Sequence, residues 1–173
     1  MNENNTQIAY MTNFGPKSEM STRDKRFWIG IASKEHVKIG VAGGFSQLCH
    51  GKAQPLKRMA ASDGLIYCSS QEKFGEDALC QQFTAIGEVV GSEVYQFEMF
   101  PGFVPYRRDI CFHDAKDVSI RPLTQSLSII KDKTHWGYAF RFGHLEITRA
   151  DFELIASKML KEKTAANALS VEG

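Results

Sequence analysis

No stretch of this chain approaches the roughly 18 consecutive apolar residues that a membrane span requires. The opening segment MNENNTQIAYMTNFGPK has neither a basic start nor an uninterrupted apolar core, so the expectation is a cytoplasmic protein. There is little net charge: +1 overall, with 43% apolar and 24% charged residues, which argues against bulk attraction to a phosphate backbone and confines any nucleic-acid role to a local surface. Cysteine is sparse and irregular. Cys49, Cys68, Cys80 and Cys111 include no CxxC pair and no close Cys/His set, so neither a structural metal nor a cofactor is expected, and the thiols read as small buried hydrophobes. The Gly43-Gly44 pair has the spacing of no phosphate-binding loop, and strands and helices do not alternate as in a doubly wound nucleotide fold. No internal repeat or low-complexity segment is present.

What remains fits one domain. A chain of 173 residues is long enough to bury about two-thirds of its unfolded surface. Residues 1–25 read as an extension outside the core, residues 26–161 as the domain, and residues 162–173 as a tail. Arg26 to Ala32 alternates Phe27, Ile29 and Ile31 with Trp28, Gly30 and Ala32, a strand with one bulky core face. Its other face is an indole beside two nearly bare positions, which leaves a hollow for a flat ligand unless another element fills it. Ser33 reads as the N-cap of a helix through Val41, stopped by Gly43-Gly44. Further strands are expected at Leu65 to Ser70, Gln82 to Val90 with a bend at Gly87, Glu93 to Met99, Val104 to Phe112 and Phe140 to Ile147. Residues 71–79 read as a loop. Thr148 and Asp151 read as a capping box for a last helix with Phe152, Ile155, Ala156 and Met159 on its apolar face. Five to six strands with three short helices argue for an α+β domain built round a curved or closed sheet.

The chemistry concentrates in GGFSQLCHGKAQPLKRM, residues 43–59. Phe45, Leu48, Cys49, Leu56 and Met59 want a core, whereas Gln47, His50 and Lys52 cost about 1–3 kcal/mol each if buried without partners. A segment packed on one side and lining a concavity on the other reconciles them; a polar loop tied down by its own hydrogen bonds is the plainer alternative. Between Glu35 and Asp63 there are four basic residues and no acidic one, a local positive patch. A catalytic reading is thin, because Cys49 and His50, as neighbours on an extended segment, point apart. Asp63, Asp109 and Asp151 read as turn, ion-pair or cap residues. A binding reading fares better: Trp28, Tyr67, Trp136, Tyr138 and Phe140 near strand ends, with Ser33, Gln47, His50, Lys52 and Arg141, supply the flat faces and edge groups that hold one unstacked base. Core packing is the competing account of each aromatic.

Taken together, FWIGIASKEHV, GVAGGFSQLCHGKAQPLKRM, QFTAIGEVV, YRRDI, WGYAFRFG and EITRADFELI resemble the EVE domain family of small bacterial proteins, over about Arg26 to Met159. The resemblance implies a PUA-like pseudo-barrel flanked by short helices and a pocket that reads a modified base in RNA or DNA without catalytic machinery. By position it implies a pocket from Trp28, Ser33, Gln47, His50, Lys52, Tyr67, Ser69 and the Trp136 to Tyr138 element. Phe140 and Arg141 extend that candidate pocket, and Lys52, Lys57, Arg58 and Arg107 are the candidate phosphate contacts. Ser62-Asp63, Cys68 and Ser70 depart from the family pattern and bear on pocket width. The expected partner is a nucleic acid or a free nucleobase-like molecule, not a membrane, with the protein a monomer. The alternatives are a small hydrolase or transferase using His50 as acid/base, and an interaction module working through the 71–79 loop.

Overall fold

The computed structural model of the protein describes residues 23–161. In chain order the elements are β1 (Phe27–Ile31), α1 (Lys34–Gly43), β2 (Phe45–Ser46), α2 (Ala53–Arg58), β3 (Gly64–Gln71), β4 (Leu79–Val89), β5 (Tyr95–Gln96), β6 (Tyr106–Phe112), β7 (Val118–Ser119), β8 (His144–Ile147) and α3 (Arg149–Met159). Short 3₁₀ turns sit at Cys49–Gly51, Arg121–Leu123 and Trp136–Phe140. The strands form one curled, half-barrel sheet in the order β2-β6-β4-β3-β1-β8, with β5 attached to β6 and β7 to β4. All the pairings are antiparallel except β1 with β3. That parallel pair needs a crossover, and the crossover carries α1 and α2.

This crossover decides what happens to the second face of β1. One face puts Phe27 and Ile29 with Ile66, Phe83, Phe152 and Ile155 in a core under α3. On the other, Trp28, Leu65 and Tyr67 pack with Val37, Leu48, Leu56 and Met59 from α1, α2 and the segment between them. The sheet is therefore buried on both sides, and the hollow expected beside Trp28 is filled. Gly30 shows how tightly: a Cβ placed there would lie 2.6 Å from Leu48 Cδ2 and 3.2 Å from the Tyr67 ring. Gly87 serves close approach rather than a bend, since a Cβ there would meet the β6 backbone at 2.5 Å from Cys111 O. The register shifts fall opposite Tyr67/Cys68 and Ser69/Gln71 of β3, and in both places the extra residue is on β4.

Local signals set several boundaries. Ser33 Oγ accepts from His36 N and Gly44 ends α1 in the left-handed conformation, as the sequence suggests. The strand expected over Glu93 to Met99 shrinks to Tyr95–Gln96, and β6 begins at Tyr106 because Pro105 has no N–H for a ladder. Trp136–Phe140 turns as a 3₁₀ helix that sinks Phe140 into the core, so only His144–Ile147 of the last expected strand is extended. The capping box is half formed. Thr148 Oγ1 accepts from Asp151 N, but the buried Asp151 carboxylate accepts from Ser128 N, Ser128 Oγ and Ile129 N, pinning residues 128–129 to the start of α3.

Of the extension expected at 1–25, residues 1–22 lie outside the described part, as do 162–173 of the tail. Residues 23–25 belong to the body: Arg23 pairs with Asp63 at 2.6 Å, and Lys25 pairs with Glu88. No helix among the described residues is long and apolar enough to cross a membrane.

Candidate nucleic-acid interface

The central segment is built as its composition asks. Phe45, Leu48, Leu56 and Met59 are buried, while His50, Lys52, Lys57 and Arg58 face solvent. Between them Cys49 (φ 48) and His50 (φ 60) are both left-handed, a conformation that costs non-glycine residues about 1–3 kcal/mol each. Leu48, locked over Gly30, holds one end of this turn, and Gly51, against Pro105 and Phe103, holds the other. The turn presents the His50 ring edge-on to Phe74 of the 72–78 loop, with centroids 5.8 Å apart. It also brings Cys49 Sγ to 2.8 Å from where a Cβ on Gly143 would sit. Burial pushes the Cys49 thiol up, partly offset by Lys52 and Arg58, which favours the thiol over the nucleophilic thiolate.

Several expected pocket residues are committed elsewhere. Trp28 is 0% exposed; its Nε1 donates to Asp63 Oδ2 at 2.9 Å, and the His144 ring stacks on it at 4.8 Å. Tyr67 is buried with its hydroxyl between Ser46 Oγ (2.8 Å) and Gln47 O (3.3 Å), and burial pushes its pKa up to about 12. Ser69 is buried against Thr84 Oγ1 at 2.8 Å, and Ser33 is spent as a helix cap. Phe140 is buried against Phe83 and Trp136. Trp28 and Trp136 pack against opposite faces of the sheet, so they do not form two walls of one pocket. Both faces had to be covered once α1 and α2 crossed over β1, and the largest flat side chains covered them. Arg141 remains on the surface, its guanidinium 4.0 Å over the Tyr138 ring.

Arg107 is also displaced from its expected role. It is 6% exposed and lies between two phenylalanine rings, its guanidinium carbon 3.7 Å from the centre of Phe45 and 4.1 Å from that of Phe97. These are the separations of stacked planes in van der Waals contact, about 3.5–4 Å. Phe45 is 7% exposed and forms the floor, whereas Phe97 is 50% exposed and forms an outer wall. Arg107 Nε donates to Gln47 Oε1 at 3.3 Å, and the Gln47 backbone carbonyl accepts from the Tyr67 hydroxyl and from His36 Nε2. Burial depresses both Arg107 and His36 from their ordinary values. No ion pair joins Arg107 to a carboxylate among the described residues.

The result is a slot of one-plane thickness, walled by aromatics and edged by the Gln47 amide. Sequence reasoning found Gln47 but missed Phe45 and Phe97 as a pair. The signal was the hairpin: Tyr95 opposes Arg107, so Phe97 is the diagonal neighbour of Arg107 across β5 and β6.

Two surface cavities lie elsewhere. One of about 400 Å³ is lined by Met59, Ala60, Ala61 and Val94 with Lys57, Ser92 and Arg108. Another of about 360 Å³ lies among Asp24, Lys25, Arg26, Phe27, Glu146, Ile147 and Arg149. In the aromatic slot Arg107 occupies the space between the two rings. Arg108, its neighbour, points the other way and donates to Leu56 O, Met59 O and Gly91 O, fastening the end of α2 to β6. Among the described residues no three His, Cys, Asp or Glu side chains cluster as metal ligands.

A family model described as the EVE domain matches residues 26–158, which take in the central turn, the slot and the 142–144 edge. The chain belongs to the EVE domain family. This EVE domain is 51% identical over 129 residues to the UPF0310 protein in the gntR 5′ region of Bacillus licheniformis, covering 75% of this chain and 88% of that one. It is 41% identical over 133 residues to the UPF0310 protein YdcG of Bacillus subtilis (strain 168), covering 77% and 91%. Among solved structures the EVE domain aligns with the YTH domain of Zygosaccharomyces rouxii MRB1 in complex with N6-methyladenosine RNA. That alignment has a TM-score of 0.54 at 17% identity and covers 84% of this chain and 95% of the other. It also aligns with the Pho92 YTH domain in complex with m6A, with a TM-score of 0.52 at 14% identity, covering 87% and 92%. At these identities the likeness establishes the PUA-like fold.

Proposed function

We propose that this EVE domain is a non-enzymatic reader of a modified nucleobase carried in RNA or DNA, and that the base is held in the slot between Phe45 and Phe97. The observation that carries the reading is the sandwich itself: two ring faces spaced for one flat guest, with a polar amide at its edge. Stacking on each ring is worth about 1–3 kcal/mol per base, and the Gln47 amide supplies the edge contact that tells one base from another. The strained Cys49-His50 turn sets His50 and Lys52 on the surface next to the hairpin that bears Phe97, where Lys57 and Arg58 follow on α2. These three cations are the natural contacts for flanking phosphates. The family, and the m6A ligands named for two YTH domains of the same fold, support a base reader over a general interaction module.

The test is a binding panel of single-stranded oligonucleotides carrying methylated, hydroxymethylated or unmodified bases, in RNA and in DNA. One modification is expected to bind at least about tenfold more tightly than its unmodified parent, a difference of about 1.4 kcal/mol. Equal, weak binding to the whole panel sinks the reading. Turnover of any nucleoside that disappears in His50→Ala while binding persists would favour a hydrolase or transferase instead.

A further inference from the structure

The slot proposed for the base is already occupied by a planar, positively charged group of the protein itself. We infer that Arg107 is a displaceable occupant: a base entering between Phe45 and Phe97 expels the guanidinium, which then takes the phosphate of that same nucleotide. The site thereby selects nucleotides over free bases and nucleosides. This rests on the proposed base-reading function and adds to it a mechanism of selection.

Three observations support it. The guanidinium is a flat group seated at stacking distance from both rings, the place and thickness a heterocycle needs. Among the described residues it is buried without a carboxylate, held by two ring faces and a hydrogen bond from Nε to Gln47 Oε1. Cation–π contacts offset only part of the cost of burying a charge, so moving to an anion is downhill for this side chain. The outer wall is open to solvent. Phe97 follows a two-residue strand off the main sheet path, half exposed, with its N–H donating to Pro105 O at 3.0 Å.

The exchange leaves no polar group stranded. When the guanidinium leaves, Gln47 Oε1 is free to accept from a donor on the base edge. Arg107 gains a phosphate, which its planar fork grips with two parallel hydrogen bonds. A free nucleoside receives only the first half of this exchange and leaves the cation without an anion. Discrimination follows from the chemistry: a neutral guest competes with Arg107, and a phosphorylated guest recruits it.

The experiment uses the whole chain with N6-methyladenosine and 5-methylcytidine, each as nucleoside and as 5′-monophosphate, and oligonucleotides bearing the same bases. Wild type is expected to prefer monophosphate over nucleoside by about tenfold or more. Arg107→Met, which replaces the planar cation with a flexible uncharged chain that a base displaces more easily, is expected to bind nucleosides about tenfold more tightly than wild type, as when the competent fraction rises from about a tenth to one. Its monophosphate preference should fall to about twofold or less. In wild type, the Nε–H resonance of Arg107 in ¹⁵N-arginine-labelled protein should shift on saturation with monophosphate, which needs no variant to fold. If oligonucleotides bind but that resonance stays put, or Arg107→Met weakens nucleoside and monophosphate by the same factor, Arg107 is a fixed wall; the inference fails and the base reader stands. If neither protein binds any of the probes, the slot is not a nucleobase site and both readings fall.

Discussion

Two of the arginine–aromatic stacks in this domain have opposite characters. In the first, Arg26 and Arg58 lie 4.5 and 4.8 Å from the centre of the Trp28 ring, with His144 stacked on the indole. Partners surround that stack: Arg26 pairs with Glu146, and Asp63 accepts from Trp28 Nε1, Arg26 N, Ala60 N and Arg23. In the second, Arg107 lies between Phe45 and Phe97 with no carboxylate among the described residues and with half of one ring in solvent. The first, apart from the exposed Arg58, has met its electrostatic needs within the protein and behaves as a core. The second has not, which is the usual condition of a surface that completes itself with a ligand.

The largest effect should separate the two at once. Asp63→Ala strands a buried indole N–H and two backbone N–H groups and removes the carboxylate that pairs with Arg23, and should cost about 3–5 kcal/mol of stability in urea unfolding, the range for breaking a buried charged network. Arg107→Met replaces an unpaired buried charge with an apolar chain of similar length and should leave stability unchanged or raised. Equal losses would show that the two stacks are both structural.

Next comes pH. His144 is 5% exposed, neither ring nitrogen has a hydrogen-bond partner among the described residues, and burial, followed by the nearby Arg58 charge, lowers its pKa to about 4. The folded state therefore binds a proton less readily than the unfolded chain, whose histidine titrates near 6.5. Stability from this group is fully present above about pH 6.5 and is lost as pH falls toward 4, by up to roughly 3 kcal/mol. His36 and His113, both lowered first by burial, act in the same direction. His144→Phe keeps a ring on Trp28 and should flatten, without abolishing, the decline measured by unfolding at pH 7, 5.5 and 4. An unchanged profile would remove His144 from the account.

A smaller effect, on binding rather than folding, tests the same contrast. Phe97→Ala should weaken an oligonucleotide ligand by roughly fivefold to a hundredfold, the worth of one stacked base, with little change in unfolding midpoint. Trp28→Ala should do the reverse, costing about 3–5 kcal/mol of stability as a buried aromatic. If Trp28→Ala folds well and loses binding, the indole is a pocket wall after all.

How far these features were legible in the chain depends on whether their signal is local. Ser33, Gly44, the Thr148 cap and the alternation of Phe27 to Ile31 each reveal themselves within a few residues. The double-sided burial of the sheet does not, because it follows from a crossover that brings Leu48 onto Gly30, 18 positions away in the chain. Residues 43–59 mix apolar and polar types, which reads as a segment packed on one side, and His50, Lys52, Lys57 and Arg58 lie on the surface. The slot was not legible: its floor, guest and wall come from Phe45, Arg107 and Phe97, which only the pairing of β2 and β5 with β6 assembles. Flat residues near strand ends were read as pocket walls, yet Trp28, Tyr67 and Phe140 were the ones the core needed most.

The smallest effect is also the one that decides how the surface around the slot is used. The protein is nearly neutral, but Lys52, Lys57 and Arg58 are exposed on one segment that has no acidic residue between Glu35 and Asp63. If these three and a released Arg107 each neutralise a phosphate on a single strand, with a slope of about −0.7 per contact, log affinity against log salt should fall with a slope of roughly −2 to −3. Lys52→Ala should flatten it by about 0.7 and lower affinity at low salt, while Phe97→Ala should shift the whole line down and leave its slope alone. Arg107→Met separates the two accounts of that residue: a slope reduced by the same amount as in Lys52→Ala means the guanidinium reaches phosphate, and an unchanged slope means it stays between the rings. A slope near −6 would mean that a broader basic surface, and not this segment, governs binding. One near zero would leave a neutral small molecule as the guest of the slot and remove the nucleic-acid strand from the picture.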